Sequence, residues 1–204
     1  MQRIKWTQLS ARRVFNAITR RVAGIPGRLS YAFSREGMRN RESLHILKNR
    51  YTGQTCILLA NGPSLASEDL SHTWNYPTFG LNRAYLGSVP MNFKIDYLVC
   101  VNDLVLSQFG REIEEVKCTK FLSWKARKII RETENTFWVN PGLHFGAFSQ
   151  DITMGLYPAA TVTYAALQII YFMGFKKVII LGMDHNFELN KSTIPNTTET
   201  YDHD

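Results

Sequence analysis

Three short clusters hold side chains with chemistry to offer: Asn61-Gly62-Pro63-Ser64, Asn82-Arg83 and Asp184-His185, with His203 near the end of the chain. Gly62 lets the backbone approach a ligand closely and Pro63 fixes the turn, while Asn61 and Ser64 add short polar groups. With Ser64 capping a short helix, free N–H groups at the helix start favour a phosphate. The same four residues are plain loop composition, and taken alone they describe an ordinary strand-to-helix turn. Arg83 offers a planar fork for phosphate or carboxylate, the alternative being a surface salt bridge. Asp184 beside His185 suits a general base with its orienting partner, or a ligand pair for Mg²⁺ or Mn²⁺ on a nucleotide diphosphate. His203, in Tyr201-Asp202-His203-Asp204, is either a base or a solvated residue of a polar tail, the second being the plainer reading. Thr161 and Thr163 reach either phosphate oxygens or their own helix backbone.

Elements of a definite kind must position these clusters. Apolar runs of strand length cover Thr55–Ala60, Thr78–Leu81, Asp96–Val101, Lys120–Trp124, Thr136–Val139 and Lys177–Leu181. Helical patterns fall near 40–50, from Asn102-Asp103 to about Val116, and from Pro158 to Met173 with Gly174 as its stop. This alternation predicts an α/β chain: a Rossmann-like open, mostly parallel sheet with helices on both faces. Such sheets bind ligands beyond the carboxyl ends of their strands, which selects Asn61–Ser64, Asn82-Arg83 and residues 183–187. Two asparagine turns at adjacent strand ends would aim their amides into one crevice, suiting a nucleotide base or ribose.

Charge divides the chain. Residues 1–50 carry twelve Lys/Arg against two Glu, a net of +10. Residues 51–204 carry twelve against fifteen Asp/Glu, a net of −3, and the two sum to the +7 of the whole. The expected organisation is a basic amphipathic helical arm over 1–50 and a mildly acidic Rossmann-like nucleotide-binding domain over 51–204, so no nucleic-acid partner is expected. In the arm, Ile4, Ala11, Phe15, Ile18 and Val22 form one helical stripe, which Gly24, Pro26 and Gly27 end. Residues 1–27 thus suit either an anionic membrane surface or packing on the domain, and the Arg-rich start also mimics a transit peptide. With no signal-peptide core and no apolar run of about 18 residues, the expected location is cytoplasmic, or peripheral at the inner membrane. Cys56, Cys100 and Cys118 form no CxxC pair and read as reduced, largely buried thiols. Walker, GxGxxG, GxSxG, HExxH and kinase motifs are all missing, so the residues themselves call for no cofactor and reach only a nucleotide-binding α/β domain.

The ordered set Cys56–Leu65, Phe79–Tyr85, Asp96–Leu104 and Thr161-Val162-Thr163 followed by Gly174–His185 resembles a known family. It is the domain shared by archaeal 6-hydroxymethylpterin diphosphokinases and the motility-associated factors of flagellin glycosylation, and it is related to bacterial lipooligosaccharide sialyltransferases. The resemblance covers about residues 55–204. Through the sialyltransferases it implies that Asn61, Gly62, Ser64 and Asn82 contact a cytidine monophosphate, and that His203 is the nearest match to their general base. Through the pterin enzymes it implies ATP with Mg²⁺ in the same crevice, Asp103 or Asp184 as metal ligands, and Tyr85 and Phe145 stacking a pterin. The leading expectation is a glycosyltransferase-like enzyme of surface-glycan assembly using a nucleotide-activated sugar of the CMP type and a glycan acceptor. The alternatives are a 6-hydroxymethylpterin diphosphokinase, or a non-catalytic nucleotide-binding or membrane-docking domain. The end at Asp204 implies a truncated or fragmentary domain.

Overall fold

The computed structural model describes residues 24–140, 148–157 and 161–184. Six strands form one all-parallel sheet: β1 (Thr55–Leu59), β2 (Thr78–Leu81), β3 (Tyr97–Cys100), β4 (Thr119–Ser123), β5 (Thr136–Val139) and β6 (Lys177–Leu181). Their order across the sheet is β5-β4-β3-β2-β1-β6. The chain therefore steps outward from β1 to β5, then returns to lay β6 on the other side of β1. Strand order reverses between β1 and β6, and such a reversal opens a crevice at the carboxyl ends.

Alternate residues of the buried runs feed the two faces, as a pleated strand requires. On one face Cys56, Leu58, Phe79, Tyr97, Val99 and Phe121 pack under the helix α4 (Val162–Phe172). An aromatic row crosses this face, with ring centroids 4.7 Å apart for Phe79–Tyr97, 6.2 Å for Tyr97–Phe121 and 5.6 Å for Phe121–Phe137. On the other face Leu98, Cys100, Leu122 and Trp138 meet α3 (Asp103–Glu115) through Leu106 and Ile113. The expected α/β sheet with helices on both faces is present. Cys56 and Cys100 are buried free thiols, pushed up to about 12 by burial.

The chain that precedes the sheet differs from its expected form. Residues 1–23, with the stripe from Ile4 to Val22, lie outside the described residues. Gly24 is the N-cap of a further helix, α1 (Ile25–Phe33), with Pro26 in its first turn, so Gly24 and Pro26 begin a helix here. The helix expected near 40–50 is α2 (Arg35–His45), started earlier because the Ser34 hydroxyl accepts from the Gly37 N–H at 3.0 Å. The division at residue 50 is one of charge, and packing runs across it. Tyr31 stands edge-on to Trp124 at 5.1 Å, and Leu44 and Leu47 enter the core beneath α4.

Candidate functional site

Three loops meet at the β1/β6 reversal, where a sheet of this kind places its ligands. After β1 the chain reaches Asn61, whose amide donates to the Leu81 carbonyl at the end of β2 (3.2 Å). The Gly62 N–H donates to the Gly182 carbonyl beyond β6 (2.8 Å), and the Ser64 N–H donates to an Asp184 carboxylate oxygen (2.8 Å). The loop after β1 is thus tied to both neighbours of β1, and Asp184 is the tie on the β6 side.

These bonds correct the phosphate-cradle expectation for this turn. Pro63–Ser67 is a five-residue 3₁₀ segment with no side-chain cap. Of its N-terminal groups, Gly62 and Ser64 donate as above, Pro63 has no N–H, and the Leu65 N–H returns to the Gly62 carbonyl at 3.2 Å. The N–H groups that would greet a phosphate already have acceptors, one of them the Asp184 carboxylate. Ser64 contributes its backbone rather than a helix cap.

Asn82 behaves differently. It follows β2 directly, holds a left-handed backbone (φ 49°) that asparagine tolerates better than most residues, and donates its N–H to the Val99 carbonyl at 2.9 Å. Its side-chain oxygen is buried and has no hydrogen-bond partner among the described residues. A buried acceptor without a donor costs about 1–3 kcal/mol, the kind of cost that a ligand donor removes. The Asn61 amide, bonded to the Leu81 carbonyl, thus lies beside Asn82 at the carboxyl ends of β1 and β2.

Arg83 does not reach into the crevice for phosphate. Its guanidinium lies 3.7 Å from the Phe109 ring centroid and bridges both carboxylate oxygens of Glu112 on α3 at 3.2 Å each. The Tyr85 hydroxyl donates to Glu112 at 2.6 Å, so Tyr85 belongs to this cluster and is not placed to stack a pterin. The Tyr85 bond, helped by Arg83, outweighs burial and holds the Glu112 carboxyl below the usual range. Burial and the Glu112 bond push the Tyr85 hydroxyl up to about 12. A lowered carboxyl pKa gives stability that is present above the unfolded value and lost as pH falls through the folded one. Tyr85→Phe is expected to raise the Glu112 pKa toward its unfolded value, read by NMR titration of the Glu112 side-chain carboxyl carbon.

Thr161 caps α4, its hydroxyl accepting from the Tyr164 N–H at 3.3 Å, which is the backbone role rather than a phosphate contact. Thr163 is half-buried on the same helix. Asp103 opens α3 beyond β3, its two oxygens accepting from the Ser123 hydroxyl and the Lys125 ammonium, both at 2.9 Å. With both oxygens so engaged, Asp103 is a poor fit for Mg²⁺, and no group of three His, Cys, Asp or Glu side chains forms a metal cluster among the described residues. His185, His203 and Phe145 lie outside the described residues.

Sequence reasoning missed a second hollow. A cleft of about 770 Å³ lies at the amino ends of β2–β5, lined by Tyr51, Lys94, Asp96, Tyr97 and Lys120 among others. Lys120 is only 4% exposed there, its ammonium donating to the Cys118 carbonyl at 3.4 Å. A lysine inside an apolar strand run carries no local signal of such a place.

An open all-parallel sheet with helices on both faces and a strand-order reversal beside β1 places the chain in the Rossmann-like class of α/β proteins. Within it, a family model described as 6-hydroxymethylpterin diphosphokinase MptE-like matches residues 34–190, and the chain belongs to that family. The match begins within the basic segment, at the Ser34 cap of α2. Among solved structures the chain is similar to the MAf glycosyltransferase from Magnetospirillum magneticum AMB-1, with 14% identity and a TM-score of 0.45. That similarity covers 72% of this chain and 29% of the other, so the chain spans less than a third of that protein's length. None of the curated proteins matches. No helix among the described residues is long and apolar enough to cross a membrane.

Proposed function

We propose that this domain is a transferase that binds the nucleoside phosphate of an activated donor in the β1/β2/β6 crevice, the donor being a sugar of the CMP type and the acceptor a glycan hydroxyl. The observation that carries the reading is the unpartnered Asn82 side-chain oxygen beside the Asn61 amide. That oxygen accepts from a base amine or a ribose hydroxyl, and a buried acceptor discriminates strongly against a ligand that lacks the donor. Pro63 and Gly62 shape the rim, and Asp184 fixes its position through Ser64. In the reaction the acceptor oxygen bonds to the anomeric carbon as the bond to the nucleotide phosphate breaks. The acceptor proton passes to a histidine, His203 or His185, and the nucleotide leaves as its phosphate anion. The chain acts from the cytoplasmic side, at or near the inner membrane.

Pyrophosphoryl transfer from ATP to a hydroxymethylpterin is the second reading, favoured by the family to which the chain belongs. There Asp184, rather than the fully engaged Asp103, would be the carboxylate toward Mg²⁺, which would neutralise charge on the phosphates.

Thermal shift with CMP, CDP, UDP and ATP, each with and without Mg²⁺, separates the two. On the first reading CMP at about a hundred times its Kd adds about 2.7 kcal/mol, roughly 5–10 °C, and chelator leaves the shift intact. A shift seen only with ATP and Mg²⁺ selects the second reading, and no shift with any nucleotide removes both. Asn82→Gly accommodates the positive φ without strain and deletes the amide, so it is expected to melt near the wild type and lose the CMP shift.

A further inference from the structure

The α1 helix exposes an apolar stripe opposite the face it buries. Tyr31 is buried against Trp124, while Ile25, Leu29 and Phe33, spaced four residues apart, are 45%, 53% and 76% exposed. Four-residue spacing places these three side chains in one row along the helix. In the sequence the row continues a run of three- and four-residue steps through Phe15, Ile18 and Val22. Arg28 is half-buried beside the row, and Arg35 and Arg39 are exposed on the helix that follows. None of these three arginines pairs with a carboxylate among the described residues, and the nearby Glu36 is held by Arg127 at 3.4 Å.

We propose that this stripe, with Arg28 on its own helix and Arg35 and Arg39 exposed on the helix that follows, is a docking face for an anionic lipid surface, which Ile25, Leu29 and Phe33 enter to the depth of the headgroups. Charge selects the occupant. Residues 1–23 carry six Lys/Arg and no Asp/Glu, so laying them over this face would bring cations to cations. A second copy would set one +10 segment against another. An anionic bilayer satisfies the arginines and takes up the apolar side chains together, and its attraction accumulates with each basic residue near the surface. The docking would hold the domain beside membrane-borne acceptors, but it stands whether or not the crevice binds a nucleotide.

The test is flotation of the full chain with vesicles of phosphatidylcholine containing about 30% phosphatidylglycerol. The wild type is expected to float, to bind neutral phosphatidylcholine vesicles far more weakly, and to release as salt rises. The double variant Leu29→Gln/Phe33→Gln is expected to bind the anionic vesicles at least tenfold more weakly, with its melting temperature unchanged because both side chains are exposed. Wild-type flotation by that variant would overturn the proposal, as would equal binding to neutral vesicles. A dimer in sedimentation equilibrium that the same double variant dissolves would assign the face to a second copy instead.

Discussion

Gly62→Ala is expected to abolish nucleotide binding and to lower stability by about 2–4 kcal/mol. The reason is space rather than backbone conformation. Gly62 sits at φ −73° and ψ 147°, extended backbone that any residue adopts. A methyl group there, however, would overlap both the Gly182 carbonyl and the Asp184 carboxylate. The carboxylate can swing aside, but in doing so it gives up the Ser64 N–H. The carbonyl is main chain and accepts from Gly62 itself, so it moves only if β1 and β6 part at their carboxyl ends. Either response separates the loops that form the rim, and Asn61 loses its fixed approach to Leu81. Gly27→Ala is the matched control: nothing lies within 4 Å of its added methyl, and the site is helical, so a small gain in stability is expected. Urea melts of the two variants, with the CMP thermal shift measured on each, make the comparison. A wild-type shift in Gly62→Ala would show that the rim does not need this close approach.

Strand positions were legible because β1 to β5 are largely buried on both faces and so are written as mainly apolar runs between turn residues, while the partly exposed edge strand β6 keeps the apolar run Val178–Leu181. Thr78–Leu81, Thr136–Val139 and Lys177–Leu181 have the boundaries their runs predict. The meeting of three loops followed from the same signal, since a parallel sheet places its loops after Leu59, Leu81 and Leu181 on one edge. What the local pattern could not show is which partner wins when several are chemically suitable. Arg83 has the fork for a phosphate, yet Glu112, 29 residues away, lies within reach once α3 packs, and Phe109 offers its ring. The N–H groups after β1 are potential anion donors until β6 arrives 120 residues later with Gly182 and Asp184. Charge likewise marked residue 50 as a boundary, whereas Tyr31, Leu44 and Leu47 belong to the core by burial. Composition reports the solvent side of a helix and is blind to the two or three residues that hold it down.

Asn40 is one of those residues, and its loss is the second large effect expected. Among the described residues the strand β5 pairs only with β4, so its other side would leave the backbone of Trp138 without partners. The Asn40 amide fills that place as a neighbouring strand would. Its oxygen accepts from the Trp138 N–H at 2.9 Å, and its NH₂ donates to the Trp138 carbonyl at 2.8 Å, both in the buried interior. Asn40→Leu keeps the volume and removes both bonds, stranding two buried main-chain groups at about 1–3 kcal/mol each, so roughly 2–5 kcal/mol is expected in a urea melt. A loss under 1 kcal/mol would mean that water or a shift of α2 serves the edge equally well. Asn40→Asp separates the two bonds. The introduced carboxylate still accepts from the Trp138 N–H but faces the carbonyl with a negative charge, whereas its protonated form donates. Burial and that carbonyl raise the folded-state pKa of the new group above its unfolded value, so more protons are bound when folded and stability rises as pH falls. The variant is therefore expected to gain stability relative to wild type on acidification from neutral pH, opposite in sign to the loss expected from Glu112. A difference between the two proteins that stays flat with pH would show that the donor side of Asn40 contributes little, leaving the Trp138 N–H as the group that anchors α2 to the sheet.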